Sequence, residues 1–395
     1  MDFWRGCVLV VILLDHVPGN LLEWLTPRNY GISDSSEAFV FLSGLSVGMV
    51  YGRRAEAIGL ASIALGCAQR ALKLYGVHVL LTLLALLVFA VTYWLSGAES
   101  VIAPHGRSVV FDSPASGLAG VTLLTHQLGY FNILPLYVVL MLWAPFVLTV
   151  ALQNPGAAVL VSAGIYLAAR VFGIHLPKWP EPGAWFFNPF AWQLIFTLGV
   201  VSALFWRNGP PRRPALVLLS GVAIIAGAIA VTDAFWLAPG LRETLFAHLD
   251  VGKQDLGLAR LAHFAALAYT LSVAPSMTKL VESPIGRAMQ GLGRHSLPVF
   301  AAGSVGSAFE QAALGATLPY ASAGLEHFAG FAYTLASVAA SFLFVRRLEC
   351  KDPPARMDFR PPFRNRPEAL GGRLRLHVRR LVGVRGRLSE RRLSL

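Results

Sequence analysis

Asp15 and His16 stand side by side at the end of an apolar run, within RGCVLVVILLDHVPGN (residues 5–20). An acid and an imidazole set in hydrocarbon are costly, and such groups usually face a polar cavity and serve function. Histidine changes charge near neutral pH, so the chemistry on offer is proton transfer to or from a hydroxyl. On one continuous helix His16 shares a face with Arg5, roughly 16 Å away along the axis. Asn20 follows on that face, while Asp15 points about 100° aside, toward a partner on another helix. Pro18 has no amide proton to give the Leu14 carbonyl, so the spacing predicts a bend here and a free carbonyl facing the cavity. Arg5 keeps two readings, a charge anchor at the membrane edge or a functional cation. Asp15 and His16 read as a site first and as an interhelical polar contact second.

The elements that must hold these residues follow from composition. Of 395 residues, 55% are hydrophobic and only 14% charged, with a mean hydropathy of +0.59. A soluble chain of this size could not hide that much apolar surface, so the solvent is lipid. Alternating ten-residue segments are absent, which leaves a helical bundle. The expected fold is an all-α, polytopic membrane bundle of ten spans, near 3–25, 36–52, 74–96, 130–151, 156–173, 189–206, 214–236, 258–275, 296–316 and 327–345. An interfacial helix is expected near 55–72. No short hydrophobic segment with a small-residue cleavage site stands at the start, so no removable signal peptide is expected.

Charge orients the bundle. The formal excess is +12, and residues 346–395 alone hold 15 Lys/Arg against 5 Asp/Glu. Arg53, Arg54, Arg70 and Lys73, then Arg207, Arg212 and Arg213, then Lys279, Arg287 and Arg294 follow alternate spans. The opposite loops carry Asp34, Glu99, Asp112, Glu181, Glu243, Asp250, Asp255 and Glu326 with few basic residues. The positive-inside rule then puts both termini in the cytoplasm. The tail reads as a segment attracted to anionic lipid, with no nucleic acid as partner. Cys7, Cys67 and Cys350 fall on the cytoplasmic side and imply no disulfide framework.

DFWRG (2–6), LLDHVPGN (13–20) and RNYGISDSSEAFVFLSGLSVGMVYG (28–52) together resemble the OpgC family. The resemblance continues through THQLGYFNILPLYVVLMLWAP (125–145), NPFAWQLIFTLG (188–199), RLAHFAALAY (260–269) and LGRHSLPVF (292–300), so it covers nearly everything but the tail. Arg5 and His16 also match the arginine–histidine signature of a wider family of membrane acyltransferases. The resemblance implies a transmembrane acyltransferase domain over 1–345 and a basic cytoplasmic tail over 346–395. It further implies a bacterial inner-membrane location and transfer of a succinyl group from cytoplasmic acyl-CoA to hydroxyls of periplasmic glucans. Succinyl rests on the resemblance alone. An acetyl group moved to another extracytoplasmic glycan is the alternative, and a transporter a more distant one, since polar groups at mid-depth would also suit a permeation path. Related sequences usually carry a few charged residues before the DFWRG-like segment, whereas here Arg5 stands close to Met1.

Roles are expected accordingly. His16 would take the hydroxyl proton, with Asp15 orienting the ring, and direct transfer is favoured because no serine or cysteine motif stands out as a nucleophile. Glu37 reads as the third residue of a capping box begun by Asp34, or as a group that orients the acceptor. Arg70 and Lys73 are charge anchors or, as the wider family implies, contacts for the phosphates of coenzyme A together with Arg5. Asn20, His126, Tyr130, Asn132, Arg260 and His263 are candidates for the glycan, and Asn188 and Gln193 open the sixth span near them. His105, His175 and His248 read as solvated loop residues. No His/Cys/Asp spacing indicates a metal.

Overall fold

The computed structural model describes residues 1–17, 20–52, 55–206, 209–317 and 323–351. The bend expected at Pro18, the basic residues Arg53, Arg54 and Arg207, and the tail from 352 onward lie outside them. Among the described residues the chain is helical, with a single isolated bridge between Pro177 and Ala184.

Fifteen α-helices follow in order: α1 (Asp2–Asp15), α2 (Ser35–Tyr51), α3 (Ala55–Ser96), α4 (Arg107–Asp112), α5 (Pro114–Thr122), α6 (Ile133–Gln153), α7 (Pro155–Phe172), α8 (Pro189–Phe205), α9 (Pro214–Val231), α10 (Leu241–His248), α11 (Leu258–Val273), α12 (Ser276–Glu282), α13 (Pro284–Arg294), α14 (Ser296–Thr317) and α15 (Ala323–Lys351). Prolines open five of them at their first turns, where the missing amide proton costs nothing. Five are long and apolar enough to cross a bilayer: Gly59–Ser96, α6, α7, α9 and the stretch Phe328–Cys350. The helices α2, α8 and α11 are apolar but shorter.

Two expectations are corrected. The first helix stops at Asp15 instead of running to 25. His16 closes it by donating its amide to the Leu13 carbonyl at 3.3 Å, and the chain continues into 3-10 turns at Leu21–Leu25 and Pro27–Asn29. The helix near 55–72 is not separate from the third span. Gly59 breaks the backbone at φ 74, and the sequence from Leu60 to Ser96 then holds no proline to interrupt it. The resulting 38-residue helix is roughly 57 Å long, well beyond a ~30 Å hydrocarbon core. Between the eighth and ninth spans the chain is also helical, as α12 and α13. Helix α13 seats tightly on α1: a Cβ on Gly6 would stand 2.0 Å from the Met289 carbonyl oxygen, and one on Gly293 would stand 1.8 Å from that of Asp2.

A second close approach fixes the centre. Gly44 and Gly48 of α2 and Gly52 at its C-terminal cap recur every four residues and turn toward α8. A Cβ on Gly44 would meet the Phe196 carbonyl oxygen at 2.0 Å, and one on Gly199 would meet that of Phe41 at 2.2 Å. Small residues at this spacing let two backbones touch, which is how helices gain packing energy where lipid supplies no hydrophobic drive. Behind them Trp192, Ile195 and Phe196 of α8 and Leu136, Leu140 and Leu148 of α6 are fully buried.

Replacing Gly44 with alanine should therefore force α2 and α8 apart and cost about 1–3 kcal/mol. Gly76→Ala, on a face of α3 with nothing within 4 Å, should be neutral or gain up to about 1 kcal/mol of helix propensity. Thermal unfolding of the detergent-purified protein checks the pair: Gly44→Ala melts earlier than wild type, Gly76→Ala does not.

Candidate functional site

A membrane helix that ends early leaves carbonyls without partners. Here the end of α1 is closed by side chains. Asn20, 1% exposed, donates its amide to the carbonyls of Leu14 at 2.9 Å and Val17, and accepts from the Glu23 amide at 3.1 Å. The free Leu14 carbonyl expected from the sequence is thus occupied, and Asn20 spends its hydrogen bonds on the backbone. The Nδ1 of His16 bonds the Ile12 carbonyl, and its Nε2 lies 3.0 Å from the Tyr130 carbonyl. With Nδ1–H donated to Ile12, Nε2 is the basic atom of the neutral ring. The Tyr130 carbonyl then matches the ring best once Nε2 has gained a proton.

His16 and Asp15 face a cavity of about 530 Å³. Its walls come from five segments: Arg28 and Asp34–Ser36 after α1, His105 and Gly106 before α4, the 126–133 stretch before α6, Lys178 to Phe187 before α8, and Lys253 before α11. All belong to the loops that the charge rule assigns to one side. Polar groups alternate with the aromatic faces of Tyr130, Phe186 and Phe187, the lining that a sugar requires. Two lining residues, His105 (φ 64) and Tyr130 (φ 71), have left-handed backbone. Such strain in non-glycine residues persists where surrounding structure enforces it, often at functional sites.

One charged cluster braces the wall. Asp34 caps α2 by accepting from the Ser36 amide at 2.8 Å, and Glu37 returns the bond by accepting from the Asp34 amide at 2.8 Å. The Oδ2 of Asp34 also meets Lys253 Nζ at 2.6 Å and Arg260 at 2.9 Å, while Arg260 Nε reaches Glu37 Oε1 at 2.7 Å. Burial pushes the Asp34 carboxyl up, but Lys253 and Arg260 outweigh it and hold it well below the ordinary carboxylate range. Glu37 is wholly buried, with both oxygens engaged in the cap and the Arg260 bond. Asp15 finds its partner in Arg28, 3.8 Å away, which also pairs with Glu23. That partner lies on a 3-10 turn and not on another spanning helix.

The remaining sequence candidates fall into two groups. His126, Tyr130 and Asn132 line the cavity, and His126 Nε2 is held 2.9 Å from the Gly106 carbonyl. His263 lies behind, its Nδ1 2.7 Å from the Ser33 hydroxyl. Asn188 and Gln193 are buried and bond Asp255 and Ser162. Arg5 bonds Asp2 at 3.2 Å and Ser46, and neither it nor Arg70 nor Lys73 lines the cavity. His105 is exposed, as expected of a loop residue, yet it faces this cavity with its ring 4.9 Å from that of Tyr130. Sequence reasoning passed over Arg28, Lys178 and Lys253. Their signal was available: they are basic residues in loops otherwise poor in them.

An all-helical membrane protein with a polar, aromatic-walled cavity at the end of its first helix has the makings of a membrane-embedded transferase. The family model described as OpgC protein matches residues 1–345, and the chain belongs to that family. Membership makes it a transferase of the acyltransferase kind that modifies glucans. No curated protein and no solved structure matches the chain.

Arg260→Met should strand the buried Glu37 carboxylate, leave Asp34 with Lys253 alone, and cost about 3–5 kcal/mol, seen as loss of folded protein from the membrane. Asp34→Asn gives a pH signature. The folded carboxyl titrates below its unfolded value near 3.9, so its stabilisation is complete above that value and is lost as pH falls through the folded value. The gap in melting temperature between wild type and Asp34→Asn should close as pH falls below about 4.

Proposed function

We propose that the protein moves a succinyl group from cytoplasmic acyl-CoA to hydroxyls of periplasmic glucans in the bacterial inner membrane, with His16 as general base. The observation that carries this reading is that His16 lines a sugar-sized polar cavity, with its Nδ1 committed to Ile12 and its Nε2 beside the Tyr130 carbonyl. The ten-span arrangement with both termini in the cytoplasm belongs to the same proposal, and it would open the cavity to the glucan side.

The reaction balances on one proton. The glucan hydroxyl gives its proton to Nε2 as its oxygen attacks the thioester carbonyl carbon. The tetrahedral intermediate collapses, the carbon–sulfur bond breaks, and the thiolate leaves with the proton from the imidazolium. While the ring is charged, the Tyr130 carbonyl is the acceptor that steadies it. Asp15 acts through Arg28 on the cavity rim, and Glu37 acts through Arg260. His126, Tyr130 and Asn132 are the glucan contacts in this reading.

The donor would approach from the other face. His16 also borders a narrow apolar crevice between α1, α14 and α15, lined by Leu13, Phe300, Gly303 and Val338 among others. Arg5, at the far end of α1, and Arg70 and Lys73 on α3 are the proposed phosphate contacts for coenzyme A.

His16→Ala should lower acyl transfer by about 10²–10⁴-fold while the protein remains abundant in the membrane. Mass spectrometry of glucans from a strain lacking the protein should show loss of a succinyl substituent. Loss of acetyl would select the other donor, and unchanged glycans together with an active His16→Ala protein would defeat the reading.

A further inference from the structure

Two buried polar side chains stand behind His16 that the reaction does not use. Arg107, the first residue of α4, is 2% exposed, yet no carboxylate among the described residues pairs with it. Its guanidinium lies over the Phe89 ring, 3.6 Å from the centroid. One terminal nitrogen donates to the Val101 carbonyl at 2.8 Å, and the other donates to Gln311 Oε1. Gln311, on α14 and 9% exposed, passes the contact on: its amide donates to the main-chain carbonyl of His16 at 2.7 Å. Burial pulls Arg107 down to about 10, so it is charged at neutral pH.

A buried cation held only by neutral groups is costly, and this one spends a donor on the Gln311 amide. By claiming Oε1, Arg107 leaves the Gln311 amide only one orientation, with its N–H groups toward His16. The same turn holds the imidazole. His105 packs its ring on Tyr130 and accepts from the Gly129 amide at 2.9 Å, and the Tyr130 carbonyl meets His16 Nε2. His16 is thus gripped twice from the 105–107 turn, at its backbone and at its ring.

We propose that Arg107 and Gln311 are positioning residues for the transfer: the arginine orients the glutamine amide, which fixes the His16 carbonyl and so the height and tilt of the imidazole in the cavity. Neither side chain lines the cavity. The proposal rests on His16 acting as the base.

Gln311→Glu tests it in the full-length membrane protein. Glutamate keeps an oxygen for Arg107 and pairs with its charge, but presents oxygen instead of N–H to the His16 carbonyl. With succinyl-CoA and purified periplasmic glucan, kcat should fall about 10–100-fold, the scale of a small misplacement of a reacting group. KM for both substrates should stay within about threefold, and the amount and melting temperature of the protein should hold. Adding Gln311→Glu to His16→Ala should slow transfer no further. Should the glutamate variant fail to accumulate, Gln311→Met is read in the same way. Wild-type kcat in the accumulating variant overturns the proposal, and so does failure of both to accumulate, which would make the pair a folding element. The two readings separate cleanly. If His16→Ala transfers at the wild-type rate, the base assignment falls; if it is inactive while the Gln311 variant is fully active, only the positioning role falls.

Discussion

The structure turns on how a helix can stop inside a membrane. In water the last carbonyls of a helix would be hydrated, but in hydrocarbon each must find a protein donor. The end of α1 finds most of its donors within a few residues, the His16 amide and ring for Leu13 and Ile12 and the Asn20 side chain for Leu14 and Val17, while Gln311 of the distant α14 serves His16 itself. The interruption brings an imidazole to a helix end without leaving unsatisfied polar backbone around it. A continuous helix would have buried that ring against its neighbours.

Charge is used sparingly around this end. The Asp34–Lys253–Arg260–Glu37 cluster joins the start of α2 to the loop before α11 and to α11 itself, so the cavity wall is tied across more than two hundred residues of chain. Two carboxylates and two cations share the burial, which is the arrangement in which buried ions cost least. The helices below are held differently, by glycines that let α2 touch α8 and α1 touch α13. Polar ties set the mouth of the site, and close backbone packing sets the frame beneath it.

Much of this was legible in the sequence. Apolar runs gave the helices α2, α6, α7, α8, α9, α11, α14 and α15 to within several residues, and Asp34-Ser-Ser-Glu37 gave the capping box. The Asp15–His16 pair announced a polar site because ionised groups in an apolar run have few innocent explanations. What escaped had physical reasons. Helical geometry put Arg5, His16 and Asn20 on one face only while the helix was assumed to continue, and side-chain capping ended it. The glycine contacts depend on which faces meet, and no local pattern states that. Arg107 and Gln311 sit 204 residues apart and join only through the fold. The same holds for Arg260 and Glu37.

The crevice on the inner flank of His16 has a volume of about 20 Å³, room for roughly one water molecule. A shaft wetted from both ends and meeting at a titratable ring would short-circuit the ion gradients a cell spends its metabolism maintaining. Apolar walls from Leu13, Phe300 and Val338 leave no such wetted shaft on this flank of the ring.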